Sequence, residues 1–249
     1  ALDFGIEDLQ VEPRDEAKIH ELFTELEFKT LIKSKVDKST AKSKPIEPPD
    51  ALKKEPPKLK NINASYECIL KETELDALIK KLSKAKLIAL DTETDGLDFT
   101  TAELVGISLS AKEGEGAYIP ISHDYDEAPQ QLTKELVLKK LKPLLEKVPI
   151  VGQHIKFDRN VLSQHGLELN NIESDSMLMS YVLDSTATRH NLDAMAKFYL
   201  NYEATSYEEV AGKGVKQITF NNVELETATH YAAEDADITL RCHNVLKEK

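Results

Sequence analysis

Residues 86–97, Lys86-Leu87-Ile88-Ala89-Leu90-Asp91-Thr92-Glu93-Thr94-Asp95-Gly96-Leu97, limit the possible fold more than any other stretch. An unbroken apolar run of strand length, rich in Leu and Ile, stops at two carboxylates one residue apart and then a Gly. That is the pattern of a buried strand running out into a turn. Residues i and i+2 of an extended chain share a face, so Asp91 and Glu93 point the same way at the mouth of a sheet. Two anions held that close repel unless a cation lies between them, and hard oxygen ligands favour Mg²⁺ or Mn²⁺. An acidic turn after a core strand would look the same in isolation, so the metal reading depends on the rest of the chain.

A chain of 249 residues holds one sizeable domain, or one domain plus a small piece. No apolar run approaches bilayer length and nothing near Ala1 has the order of a signal peptide, so an intracellular, cytoplasmic protein with no membrane partner is expected. Cys68 and Cys242 lie far apart without a CxxC partner, which argues against a zinc site or a disulfide framework. The net charge of −12 argues against tight, sequence-independent duplex binding. The charge is uneven, however: residues 29–60 carry ten Lys against four acids, and residues 1–28 nine acids against two bases. An enzyme that grips a short strand end through bound ions needs no basic face.

Residues 1–35 show a helical pattern at Ile19, Leu22, Phe23, Leu26 and Phe28. Residues 36–60, rich in Lys and Pro, read as a linker, so that a flexible N-terminal segment precedes the domain at 61–249. Within that domain the pattern predicts a strand at 66–70 and a helix opened by a Thr73–Asp76 capping box. The opening strand follows, then a hairpin of Leu104–Ser110 and Gly116–Ile121. A helix over 132–147, shortened or kinked by Pro143, precedes a strand over 150–153 that runs into a helix with Asp158 in its first turn. Residues 206–222 read as a mobile loop, and 223–246 as a long helix. On that helix Tyr231 and Asp235 share a face, and Ala232 and Ala236 allow another backbone to come close. Glu234 and Asp237 point elsewhere and read as solvated helix charges.

The residues Asp91-Thr92-Glu93, then Gly152-Gln153-His154-Ile155-Lys156-Phe157-Asp158, then Tyr231-Ala232-Ala233-Glu234-Asp235 occur in this order. With Ala117-Tyr118-Ile119-Pro120, Lys142-Pro143-Leu144-Leu145, Arg189-His190 and Ala211-Gly212-Lys213-Gly214 between them, the chain from about residue 62 resembles the 3′–5′ proofreading exonuclease domain of bacterial DNA polymerase I. That domain is one of the ribonuclease H-like exonucleases that use four carboxylates and a tyrosine.

The resemblance implies an α/β, three-layer ribonuclease H-like fold, a mixed five- to six-stranded sheet with helices on both faces. It implies that Asp91, Glu93, Asp158 and Asp235 hold two divalent ions, Mg²⁺ or Mn²⁺, which steady the attacking and leaving oxygens of an in-line displacement at phosphorus. Tyr231 would orient the attacking water, since an unperturbed phenol titrates near 10. Leu97 would wedge between the last bases, and Phe157 and Phe220 would offer flat surfaces to frayed ones. Gln153, Lys156 and Arg189 would contact sugar or phosphate. The family has Asn where this chain has His154, and imidazole replaces an amide's hydrogen bond in one tautomer only. The implied partner is a single-stranded or frayed DNA 3′ end, with a polymerase domain in the same full-length chain and a monomeric state. Residues 1–32 resemble the tail of the 5′-nuclease region of such a polymerase, so an excised fragment is expected, with a free-standing exonuclease as the alternative. Two other functions compete: an RNA-trimming nuclease of the same superfamily, and a catalytically silent module that packs against a polymerase.

Overall fold

The computed structural model describes residues 15–28 and 64–249, which belong to two compact units dividing at Glu55 and Pro56. In the first, the Asp15 side chain accepts from the Lys18 amide at 3.0 Å and starts helix α1 (Glu16–Glu25). The expected helix is therefore present, but its apolar stripe buries no residue, and Phe23 meets Phe28 edge-on. The stretch read as a linker, 36–60, lies outside the described residues.

The second unit is built on a six-stranded sheet: β1 (Ser65–Cys68), β2 (Ile88–Thr94), β3 (Leu104–Lys112), β4 (Glu115–Pro120), β5 (Ile150–Gly152) and β6 (Ile172–Asp175). Their spatial order is β1-β4-β3-β2-β5-β6. The β2–β3–β4 ribbon is antiparallel, while β1 on β4, β5 on β2 and β6 on β5 are parallel, so the sheet is mixed. On one face, α2 (Glu72–Leu82), α3 (Lys134–Lys147) and α4 (Ile155–Gln164) cover a core that includes Leu75, Ile88, Leu90, Leu141 and Val161. On the other lies α8 (Leu225–Lys247), preceded in the chain by α5 (Ser176–Leu183), α6 (Leu192–Met195) and α7 (Tyr207–Ala211).

Three local expectations need correction. Helix α2 begins at Glu72 because the Glu74 carboxylate accepts from the Leu70 and Lys71 amides at 3.1 and 3.0 Å; Asp76, expected in the capping box, instead pairs with Lys140 at 2.6 Å. Helix α3 runs through Pro143 to Lys147, its apolar face holding it where propensity alone would end it. The segment read as a loop, 206–222, contains α7 and two 3₁₀ turns and is anchored by a fully buried Phe220.

Small residues set how close α8 lies to the sheet. Ala228, Ala232, Ala233 and Ala236 are wholly buried, and a Cβ on Gly116 of β4 would stand 2.7 Å from the Ala233 carbonyl oxygen. The helix therefore rides low enough for side chains one turn apart to reach different strands. Glu234 and Asp237, expected in solvent, are 1% and 0% exposed. Glu234 accepts from the Tyr202 hydroxyl and the Thr205 amide, at 2.6 and 2.7 Å. Asp237 accepts from Tyr66, Gly114 and Arg241 at 2.9–3.1 Å, tying α8 to β1 and to the β3–β4 turn. Buried acids of this kind persist only when paired and hydrogen-bonded.

Candidate metal centre

Strand β2 continues past its apolar start through both carboxylates, with a bulge at Glu93/Thr94 where the partner strand skips Val105 and Thr94 pairs with Leu104. Alternation then sorts its side chains. Ala89 packs with Leu240 of α8, so Asp91 and Glu93, two and four residues on, face that helix, where Asp235 is. One carboxylate oxygen from each of Asp91, Glu93 and Asp235 falls within 4.8 Å of the others.

Asp158 arrives from the opposite side of β2. Beyond Ala89 the strand has no pairing partner in β5, and there the Thr92 amide donates to Asp158 Oδ1 at 2.9 Å. The Thr92 hydroxyl donates to the same oxygen at 2.7 Å. Asp158, 2% exposed, sits in the first turn of α4, as the spacing of that segment predicts. The start of α4 is fixed by Asp175, whose two oxygens accept from the His154 and Ile155 amides at 3.1 and 3.0 Å. His154 takes the left-handed conformation there (φ 58°), which an Asn adopts more readily than most residues.

Burial pushes all four carboxyls well above the usual range. The next largest cause is Asp91 for Glu93 and Asp158, Asp235 for Asp91, and Glu234 for Asp235. No Lys or Arg pairs with any of the four among the described residues, and the buried Oε1 of Glu93 has no hydrogen-bond partner. A buried, crowded carboxylate oxygen left without a donor fits a divalent cation better than it fits a protein contact. The Tyr231 hydroxyl hydrogen-bonds to Asp235, and burial together with the neighbouring acids raises its phenol far above its ordinary value.

Asp91, Glu93 and Asp235 floor a cleft of about 570 Å³ whose walls include Leu97, Phe157, Tyr207 and Ile218, while Asp158 lies behind Thr92 and does not line it. Leu97 is 94% exposed, free to meet a ligand. Phe220, expected to present a flat surface, is a correction: it is fully buried against Tyr118, His123, Tyr207 and Tyr231, and supports the Tyr231 ring from beneath at 5.8 Å. Gln153 is already engaged at both ends, donating to the His190 carbonyl oxygen at 2.8 Å and accepting from Ser176 at 2.6 Å. Lys156, His154 and Arg189 are exposed and are not among the residues lining the cleft. Sequence reasoning missed Thr92 and Tyr207. Tyr207 had a readable signal, since Ser206 and Glu209 form the S-x-x-E box that opens α7.

A protein-family model described as 3′–5′ exonuclease matches residues 66–249. DNA polymerase I of Pseudomonas aeruginosa is 44% identical over 242 residues, covering 96% of this chain and 26% of that protein. DNA polymerase I of Borreliella burgdorferi is 41% identical over 75% of this chain and 20% of its own length. The chain thus spans about a quarter of the length of these relatives. Among solved structures, Trypanosoma brucei RNase D superposes with a TM-score of 0.57 at 15% identity, covering 74% of this chain and 66% of that one. Brucella melitensis NrnC with bound Mg²⁺ gives 0.52 at 19% identity, over 75% of this chain and 81% of that one.

Proposed function

This chain belongs to the 3′–5′ exonuclease family carried by bacterial DNA polymerase I, and from that premise we propose that Asp91, Glu93, Asp158 and Asp235 hold two divalent ions, Mg²⁺ or Mn²⁺. With them the domain releases nucleoside 5′-monophosphates from single-stranded or frayed DNA 3′ ends. Its fold is ribonuclease H-like, as in the two superposed structures. The observation that carries the proposal is the partnerless, buried Glu93 oxygen inside a set of mutually repelling acids.

Divalent ions, when bound, supply Lewis acidity that offsets charge on the phosphodiester and on the departing 3′ oxygen. The chain's own residues do the rest. Thr92 fixes Asp158 with two donors, so that this carboxylate keeps one orientation as the site fills. Tyr231 stays protonated at neutral pH. Its hydroxyl, tethered to Asp235, orients water and does not remove a proton from it. Leu97 separates the terminal bases, and the faces of Phe157 and Tyr207 receive them without regard to identity. Mispaired ends fray most cheaply, so a site of this kind favours them. Lys156, in the first turn of α4 after His154, and Arg189 are exposed cations for flanking phosphates. Because the relatives are about four times as long, a polymerase domain in the same full-length chain is the proposed partner.

The test is nucleotide release from a 3′-mismatched primer and from an RNA strand of the same sequence, with Mg²⁺ or with EDTA. Mg²⁺-dependent release of 5′-mononucleotides, faster from DNA and abolished by Asp158→Ala, is expected. Undiminished release by that variant overturns the assignment.

A further inference from the structure

Helix α3 and the turn after α4 enclose a second cavity, of about 250 Å³, lined by Lys134, Lys139 and Lys142 on one side and by His165 and Gly166 on the other. Lys139 and Lys142, three apart, are neighbours on α3, and Lys134 lies about two turns before Lys142 on the same side of the helix. Lys139 and Lys142 are exposed with no ion-pair partner among the described residues, and Lys134 is held by Glu103 at 2.9 Å. The buried Nε2 of His165 has no hydrogen-bond partner among those residues. Glu135 is the acid that lines the cavity, in a chain where acids outnumber bases 44 to 32. Two unpaired lysines lining one cavity with a ring whose nitrogen has no partner describe a site for a tetrahedral oxyanion.

The cavity is tied to the carboxylate cleft. The Glu103 carboxylate holds Lys134, and the Glu103 amide donates to Asp95 Oδ1 at 2.8 Å. Asp95 in turn lines the cleft beside Leu97. We infer that this cavity takes a backbone phosphate of the same strand whose 3′ end lies in the cleft. It would anchor the strand without reading its sequence. The inference rests on the exonuclease reading above, but its test does not depend on hydrolysis.

Affinity for a fluorescent single strand of about 16 nucleotides is measured in EDTA over a range of salt, beside a trinucleotide too short to reach both sites. For Lys139→Ala/Lys142→Ala the long strand should bind about tenfold more weakly at low salt, with the slope of log affinity against log salt reduced by about 0.7, the value for one phosphate of a single strand. Trinucleotide binding should not change. His165→Ala should weaken long-strand binding severalfold and leave the slope alone, since its ring is neutral at pH 7, held below its usual range by burial and then by Lys134. Lys80→Ala/Lys84→Ala, which removes equal charge from α2 and the turn after it, should lower the slope much less. Equal slope changes for the two double variants, or equal losses on both oligonucleotides, overturn the inference. So does inorganic phosphate binding that depends on Lys139 and Lys142 while strand binding does not. Loss of Mg²⁺-dependent release with these binding differences intact would count against the exonuclease reading alone.

Discussion

Glu93→Gln isolates the repulsion that defines the cleft. Glu93 is 8% exposed, and its carboxylate lies within 4.8 Å of oxygens on both Asp91 and Asp235. At that separation and an effective dielectric of about 20, each pair of unit charges repels by about 3.5 kcal/mol. Two such pairs would cost about 7 kcal/mol if all three groups were ionised, which the folded protein avoids by taking up protons. Burial, then Asp91, accordingly push the Glu93 carboxyl well above its usual range. A folded value raised above the unfolded one of about 4.3 means that the folded form binds more protons. The group's contribution to stability is then complete below about pH 4 and is lost as pH rises through the folded value. Gln has nearly the same shape and no charge, so it removes that loss. In EDTA at pH 8 the variant should be more stable than the parent by about 1–3 kcal/mol, no more than one unrelieved pair. For a unit of this size that is about 2–12 °C in Tm. The gain should shrink towards pH 4, and added Mn²⁺ should raise the parent's Tm far more than the variant's. Thermal melting by circular dichroism from pH 4 to 9 measures all three. A variant less stable than the parent at pH 8 in EDTA would refute the reasoning, because Glu93 would then be held by protein donors.

Tyr231→Phe keeps the ring packed on Phe220 but removes the hydroxyl tethered to Asp235, so release of mononucleotides should fall about 10²-fold with Tm nearly unchanged, read by single-turnover kinetics. Asp237→Ala strands Arg241, Tyr66 and the Gly114 amide together and should cost about 3–5 kcal/mol in urea unfolding, where a solvated acid would cost under about 0.5. Thr92→Val removes the 2.7 Å donor to Asp158 and keeps the amide bond, and should lower Mn²⁺ affinity about tenfold by calorimetry with β2 intact.

The strand carrying Asp91 and Glu93, the hairpin beside it and the final helix were legible because each is a long periodic segment with a buried face, and burial enforces period. So were the shared face of Asp91 and Glu93 and that of Tyr231 and Asp235, from strand alternation and the helical repeat; that Asp235 meets the Asp91–Glu93 pair was implied by the family resemblance alone. What escaped reading depends on contacts between distant segments. Asp237 looks solvated until the β3–β4 turn is known to end beside it, 123 residues away in the chain at Gly114. Phe220 looks like an exposed ring in a polar stretch, and only the packing of Tyr118 and His123 from the hairpin region shows that it is core. Thr92 reads as a spacer between two acids because its partner Asp158 comes from another element. Tyr207 was the avoidable omission, as its capping box is local.

The central claim is that acids from β2, α4 and α8 form one centre for divalent cations. Titrating the metal-free protein with Mn²⁺, followed by electron paramagnetic resonance of the free ion, tests it most directly. The account predicts two bound ions per chain, spin-coupled when both are present, and loss of binding in Asp235→Asn. Binding of no ion, or equal binding by that variant, would contradict it.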